Sequence, residues 1–382
     1  MILGIDATNI RTGGGLTHLK EILDNADNIL DHFDKVVVWS NRKTLSVLPE
    51  STWLEKKTHS WLNKSFAYSF LYQIFKISKS AKIAECDLVF VPGGTFLGNF
   101  KNIVSMSQNM LPFEKNERKR FKDLRSQVRF RILYLTQMRT FKKSLGIIFL
   151  TNYAKNYIEE NIALNVNSTI IPHGINPSFK SVPKIQKELN SYDKISSFQF
   201  LYVSIVTVYK HQDNIAKAVI KLRAEEYPIS LQLVGPHTSI GLATLNKVLE
   251  LDTENCVQFK GPIAYKNLKE IYKNADAFVF GSSCENMPII LLEAMTAGLP
   301  IASSNMGPMP EILGDDGFYF NPLDDHSIYI TLKEMLQSKE KRSEKSKNSY
   351  NKSLNYTWKE CSAQTFKYLS EIAHKNNHEN TK

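Results

Sequence analysis

Short apolar runs alternate with stretches of helical spacing along almost the whole chain. MILGID at the start, KVVVW around Val37, DLVFV around Val89, NIVSM around Val104 and GIIFL around Ile148 are brief and rich in β-branched residues. Turn or polar residues bound each of them, which is the pattern of buried strands. Segments of helical periodicity lie between several of these runs, so the first half is expected to be α/β with a mainly parallel sheet. After IPHGINPSF comes KSVPKIQKELNSYDKISS, polar, lysine-rich and without an apolar period; this predicts a linker over 176–195. The alternation then restarts more regularly, with strands expected at FQFLYVSI, ISLQLVG, CVQFKG, DAFVFGS and LPIASS and helices near 211–222, 240–250, 264–273 and 287–297. That succession predicts a second Rossmann-like domain. The expected organisation is a Rossmann-like domain over 1–175, the linker, a second over 196–355, and a C-terminal helix with a polar tail over 356–382. Two such domains facing each other would put the carboxyl ends of both sheets around one ligand cleft.

Composition supports a folded chain. Of 382 residues, 42% are apolar and 23% charged, enough for two hydrophobic cores and incompatible with global disorder. The formal net charge of +10 points to anionic partners without choosing among phosphates, nucleic acid and a membrane surface. Cys86, Cys256, Cys284 and Cys361 are far apart, so no C-x-x-C metal or redox spacing exists and a reducing cytosol is expected. The opening MILGIDATNI has no basic n-region, and no run of 18 apolar residues occurs; neither export by a standard signal nor membrane spanning is expected.

The most informative stretch is GSSCENMPIILLEAMTAGLPIASSNMGPMPEIL, residues 281–313. A strand ends at Gly281, a loop carries Glu285, and a helix is expected from about Met287 to Ala297, closed by Gly298. Glu293 lies in an otherwise apolar run, where an unpaired buried acid is costly, so it calls for a hydrogen-bonding partner or ligand. Six residues separate Met287 from Glu293, roughly 9 Å of helix. Two carboxylates on that scale can hold hydroxyls at opposite ends of a nucleotide-sugar, with the diphosphate at the helix N-terminus between them. Asn286, Met287, Pro288 and Ile289 at that N-terminus, and Ser204 at the end of YVS, are the candidates for donor contact.

The spacing Glu285, seven residues, Glu293, followed by A-M-T-A-G-L-P-I, closely resembles the E-x7-E signature of retaining glycosyltransferases of the GT-B fold, particularly glycosyltransferase family four. Further landmarks occur in order from GGGL near the start through IPHGINPSF, YVSIVTVYKHQDN, LQLVG and FKGPI, covering roughly residues 1–365. The resemblance implies that Glu285 contacts the donor sugar near its reacting carbon and that Glu293 contacts the ribose. It also implies that Lys210 reaches the diphosphate as the sugar departs. Family members pair that Lys with an Arg, and Ser204 to Val206 contain none. RTGGGLTHL is not G-x-G-x-x-G; its glycines Gly13, Gly14 and Gly15 let backbone approach a phosphate or sugar, and in the family this loop lines the cleft. Asp6 and Asn9 are weaker candidates for the same wall. At the family's H-D-x-x-P position stand Gln108 and Asn109, amides able to bind sugar hydroxyls, and His173 in IPHGI borders the cleft or forms a hinge. No D-x-D triplet occurs, so no metal site is expected, and no cofactor beyond the nucleotide-sugar substrate.

The positive charge has a location. Between Pro112 and Lys143 eleven Lys and Arg stand against three acids. On one helix Arg118, Lys122, Arg125 and Arg129 would form a stripe beside Phe121, Leu124, Val128, Ile132 and Leu135, so that the apolar stripe docks on the core and the basic rim meets lipid phosphates. The expectation is a cytoplasmic, metal-independent retaining glycosyltransferase, peripheral at the inner face of the plasma membrane. It would move a sugar from a nucleoside-diphosphate donor to a hydroxyl of a lipid-linked glycan acceptor in bacterial surface-polysaccharide synthesis, O-antigen or capsule. A GT-B sugar-nucleotide epimerase and a basic nucleic-acid or phosphate-binding protein are the alternatives, with nucleic acid not expected as a partner of the enzyme.

Overall fold

In the computed structural model, which describes residues 1–380, the apolar runs become short parallel strands in two sheets. The first sheet contains β1 (Ile2–Asp6), β2 (Lys35–Trp39), β3 (Leu54–Lys57), β4 (Leu88–Val91), β5 (Ile103–Met106), β6 (Gly146–Phe149) and β7 (Asn167–Ile170), in the order β3-β2-β1-β4-β5-β6-β7. Central β1 pairs on both sides, with Ile5 opposite Val38 of β2 and Phe90 of β4. Strands covered on both faces must be apolar throughout, and Leu3, Ile5, Val36, Val37, Val38 and Leu88 to Val91 are fully buried. Gly4 has no room for a side chain, since a Cβ there would lie 2.8 Å from the Trp39 ring. The edge strands β3 (LEKK) and β7 (NSTI) are additions to the predicted set; half-solvated edges have no apolar run to announce them.

The second sheet contains β8 (Phe198–Val203), β9 (Ile229–Val234), β10 (Val257–Phe259), β11 (Ala277–Phe280), β12 (Ile301–Ser304) and β13 (Gly317–Phe320), in the order β10-β9-β8-β11-β12-β13. The predicted helices form at Gln212–Ala224, Ser239–Leu249, Tyr265–Asn274 and Ile289–Thr296. An aromatic cluster of Tyr202, Tyr272, Phe278 and Phe280 packs against the central strands, with Tyr202 and Phe280 centroids 5.7 Å apart.

The division between compact units differs from the predicted domains. One unit comprises residues 1–115, 122–174 and 357–382, the other 116–121 and 175–356. The C-terminal helix Trp358–Asn380 therefore belongs with the first sheet, where Ser362 Oγ donates to the Ile22 carbonyl at 2.7 Å. Residues 176–195 are no free linker. Buried Arg342 donates through Nη2 to the Lys187 carbonyl (2.6 Å) and through Nε to Gln186 Oε1 (3.1 Å). Phe179 packs on Tyr265 and Tyr272, and Lys184 Nζ bonds the Ala275 carbonyl. A polar sequence is held here because one buried guanidinium takes a backbone acceptor and a side-chain acceptor from it.

Candidate active site

The strongest grouping of predicted residues lies in the second unit, at the carboxyl ends of β8 and β11. The chain leaving β8 turns at Lys210 and enters the helix Gln212–Ala224. The loop leaving β11 carries Glu285. Lys210 Nζ and the Glu285 carboxylate form an ion pair, with the lysine side chain 7% and the glutamate 15% exposed. Lys210 Nζ also sits 5.3 Å from the centroids of Phe280 and Tyr209, so the pair occupies a low-dielectric wall where charge acts strongly. Backbone ties hold the turn and the loop together: Ser283 N donates to the Tyr209 carbonyl at 2.9 Å, and Tyr202 Oη donates to the Lys210 carbonyl at 2.8 Å.

The helix after this loop begins at Ile289, two residues later than predicted, with Pro288 as its N-cap and no side-chain cap. Four residues then separate its start from Glu293, about 6 Å of rise. Asn286, Met287 and Pro288 are buried in the approach, while Ile289 is half-exposed. Glu293 is 1% exposed. Tyr272 Oη donates to its Oε2 at 2.9 Å, and Tyr265 supplies a further hydrogen bond. Burial dominates over these donors and raises the Glu293 pKa to about 7, so the carboxyl is poised between its two protonation states at neutral pH. Ser204 is buried behind β8, its carbonyl 2.1 Å from where a Cβ on Gly235 would stand; Gly235 (φ +143°) allows the loops after β8 and β9 to close on each other.

In the first unit Gly13, Gly14 and Gly15 open the helix Gly13–Asp24, with Gly13 at φ +72°. A Cβ on Gly15 would lie 3.2 Å from Gln108 Oε1, so the glycine turn and Gln108 are neighbours. Asn109 is exposed, and its Oδ1 accepts from Leu111 N to shape a turn. Asp6 is sealed inside. It accepts from Thr8 N, Thr8 Oγ1 and Gln73 Nε2, and burial lifts its pKa to about 6. Asn9 Nδ2 donates to the Gly93 carbonyl at 3.3 Å. His173 is likewise interior, 4% exposed, with Nδ1 3.1 Å from His18 Nδ1 and its ring against Trp358. Burial holds both imidazoles neutral, His18 at about 3 and His173 well below its ordinary value. Gly174, which follows, is where the chain leaves the first unit before returning to it at Thr357, and a Cβ there would strike the Trp358 backbone.

The basic segment departs from the single predicted helix. Lys115–Arg118 is one turn, and Asp123 caps a separate helix, Leu124–Lys143, by accepting from Ser126 N at 2.8 Å. Arg118 lies in the segment assigned to the second unit and Lys122 in the connecting loop; only Arg125 and Arg129 share the long helix. The predicted docking face is also reversed. Leu124, Val128, Ile132 and Leu135 are 76, 48, 47 and 49% exposed, whereas Phe130, Gln137, Thr140 and Phe141 are buried. Phe121 sits near Tyr209 in the second unit.

Three residues that the sequence did not single out form a hydrogen-bonded chain next to the segments that carry the ion pair. His211 Nε2 lies 2.9 Å from Ser283 Oγ, and Ser283 Oγ donates to Glu117 at 2.6 Å. His211 and Ser283 are legible only as neighbours of Lys210 and Glu285 in sequence, and nothing in the sequence ties Glu117 to them.

Residues 182–352 match the family model "Glycosyl transferases group 1". The chain is 31% identical over 106 residues to the sulfoquinovosyl transferase SQD2 of Arabidopsis thaliana, covering 26% of this chain and 21% of that protein. It is 29% identical over 112 residues to the O-antigen chain mannosyltransferase B of Escherichia coli, 29% of each. It is 25% identical over 248 residues to the O-antigen chain mannosyltransferase RfbU of Salmonella typhimurium, 62% of this chain and 65% of that one. The matches thus span between about a fifth and just under two thirds of these relatives' own lengths. Among solved structures, sucrose-phosphate synthase of Thermosynechococcus elongatus superposes with TM-score 0.75 at 13% identity, covering 97% of this chain and 99% of that one. WaaG, a glycosyltransferase involved in lipopolysaccharide biosynthesis, gives 0.71 at 16%, with the same coverage. Anabaena HepE in complex with UDP-glucose gives 0.69 at 16%, covering 97% and 100%. The second unit therefore carries a glycosyltransferase group 1 domain, in a chain with the fold of the GT-B glycosyltransferases.

Proposed function

We propose that this protein is a retaining, metal-independent glycosyltransferase that moves a sugar from a nucleoside diphosphate to a hydroxyl of a lipid-linked glycan in bacterial surface-polysaccharide synthesis. The observation that carries the reading is the largely buried ion pair of Lys210 and Glu285 at the carboxyl ends of β8 and β11. Glu293 lies beyond it on the next helix. In this reading a donor diphosphate takes over Lys210 Nζ, which neutralises the charge that builds as the sugar leaves. Glu285, released from the lysine, turns to the sugar near its reacting carbon. Glu293 accepts from the ribose hydroxyls, a role compatible with a carboxyl already surrounded by hydroxyl donors. No covalent nucleophile is invoked: the acceptor attacks from the face the leaving phosphate occupies, that phosphate helps to take its proton, and the protein supplies orientation and electrostatics. Acceptor binding is assigned to residues of the first unit, where Gln108 lies beside the Gly13–Gly15 turn.

The membrane part of the reading is revised by the exposed stripe Leu124, Val128, Ile132 and Leu135, interleaved with exposed Arg125, Arg129 and Arg131. A helix with apolar residues at spacings of 4, 4 and 3 among arginines has the character of an interfacial helix on anionic lipid. No described helix is long and apolar enough to cross a membrane. A thermal-shift panel of UDP-, GDP-, dTDP- and ADP-sugars tests the donor reading, since a ligand of the folded state raises the melting temperature. Stabilisation by one nucleotide class, lost in Glu293→Gln, is expected; a flat response to all four would overturn it.

A further inference from the structure

Residues 116–121 belong to the second compact unit although the chain on both sides of them belongs to the first. Glu117 in this segment is 5% exposed. Its Oε2 accepts from Ser283 Oγ at 2.6 Å and from Arg120 Nε at 2.7 Å. Ser283 Oγ lies in turn 2.9 Å from His211 Nε2. A serine hydroxyl has one hydrogen, and an ionised carboxylate only accepts. At 2.6 Å that hydrogen is committed to Glu117 in preference to the Tyr209 carbonyl, which is 3.3 Å away. His211 must therefore donate, which fixes it as the Nε2–H tautomer in a directed relay from His211 through Ser283 to Glu117.

The relay straddles the ion pair. His211 directly follows Lys210, and Ser283 stands two residues before Glu285. His211 also has φ +50°, a left-handed conformation that a non-glycine residue holds only when its surroundings impose it. Without the relay, both the turn that aims Lys210 and the loop that carries Glu285 lose a fixed cross-link. We propose that Glu117 is a positioning residue: through Ser283 and His211 it holds Lys210 and Glu285 in register, so that a residue from the first half of the chain sets turnover at the donor site. This rests on the reading of Lys210 and Glu285 as the reacting pair.

Long-range proton–nitrogen spectra of the full chain read the His211 tautomer directly and need no ligand. The Nε2–H form is expected in the wild type, with the signal displaced in Glu117→Ala and Ser283→Ala. Release of nucleoside diphosphate from UDP-glucose or GDP-mannose, whichever the wild type turns over, gives the kinetic arm. Glu117→Ala should lower kcat about tenfold or more with the donor KM changed less than about threefold, as expected when a buried hydrogen bond supports the transition state. Glu117→Gln, whose amide oxygen accepts the same two hydrogen bonds, should recover most of that loss. Where Glu117→Ala fails to fold, Ser283→Ala carries the same expectation. A wild-type Nδ1–H tautomer overturns the proposal, as does unchanged kcat in both alanine variants while Glu285→Gln is inactive. An active Glu285→Gln instead sinks the reading of the ion pair, a separable failure.

Discussion

Glu293 offers a test in which the sign and size follow from its burial. Its carboxyl is 1% exposed and its pKa is raised from the usual 4.5 to about 7, chiefly by desolvation. Between those two values the unfolded chain has released its proton while the folded protein retains it, so stability falls as pH rises across that window. The contribution is fully present below pH 4.5 and lost above pH 7. At 1.36 kcal/mol per pKa unit the loss is about 3 kcal/mol. Glu293→Gln removes the titration. Its amide oxygen still accepts from Tyr272, and its amide nitrogen adds a cost that does not vary with pH. The stability of the variant relative to wild type should therefore improve by about 3 kcal/mol between pH 4.5 and pH 8, or about 6 °C or more in melting temperature for a unit of this size. Calorimetry of both proteins without nucleotide across that range measures it. Taking the difference between the two proteins matters, because buried His18 titrates with the opposite sign: its pKa is lowered to about 3, so its contribution is lost as pH falls below 6.5. A variant–wild-type difference that is flat from pH 4.5 to 8 would refute the assignment of a poised carboxyl. Ribose hydroxyls that donate to the charged form should also make nucleotide binding release a proton near pH 7. Titration calorimetry in buffers of different ionisation enthalpy reads that proton.

Three further outcomes are expected. Glu285→Gln should cut turnover by about a hundredfold or more, the scale seen when one preorganised electrostatic partner is removed, and should also lower the melting temperature, because Lys210 loses its counter-charge in a low-dielectric wall; near-normal kcat would show that the pair is structural. Turnover should survive EDTA if Lys210 supplies the positive charge beside the leaving phosphate as proposed, and strict dependence on added Mg2+ or Mn2+ would contradict that. In vesicle co-sedimentation, Arg125, Arg129 and Arg131 changed together to Gln should lose about 1 kcal/mol per charge on anionic liposomes, and Leu124→Ser with Val128→Ser should weaken binding at high salt as well; equal binding by both variants would dismiss the helix as a membrane element.

How far the sequence speaks depends on whether a residue's neighbour is near in sequence or supplied by the fold. Central strands such as KVVVW and LVFV read plainly, because burial on both faces forces every position to be apolar. LEKK and NSTI do not, because each lies at a sheet edge and owes its strand to a single partner, Val36–Trp39 for the first and Gly146–Phe149 for the second. Glu285 and Glu293 are visible as a spaced pair, and the tyrosines that receive Glu293 lie 21 and 28 residues earlier on a helix whose own pattern is simply amphipathic. Glu117 is further out of reach, since its partner Ser283 is 166 residues away.

The helix Leu124–Lys143 is the clearest case of a period read correctly and a face assigned wrongly. Periodicity locates an apolar stripe, but docking is decided by what the opposing surface offers. That surface is the loop after β4, whose backbone needs hydrogen bonds: Phe96 N donates to Thr140 Oγ1 at 2.8 Å and the Phe96 carbonyl lies 3.4 Å from the same hydroxyl, while Gln137 packs beside Gly94. A polar pair flanked by Phe130 and Phe141 satisfies the loop better than Leu124, Val128, Ile132 and Leu135 could, because an unpaired buried N–H costs more than one apolar contact returns. The apolar stripe is thereby left to water, beside arginines that cannot cover it on their own helix. A row of four such side chains kept outside the core, with exposed guanidinium groups alongside, is the feature on which the proposed membrane contact rests and which the vesicle assay tests.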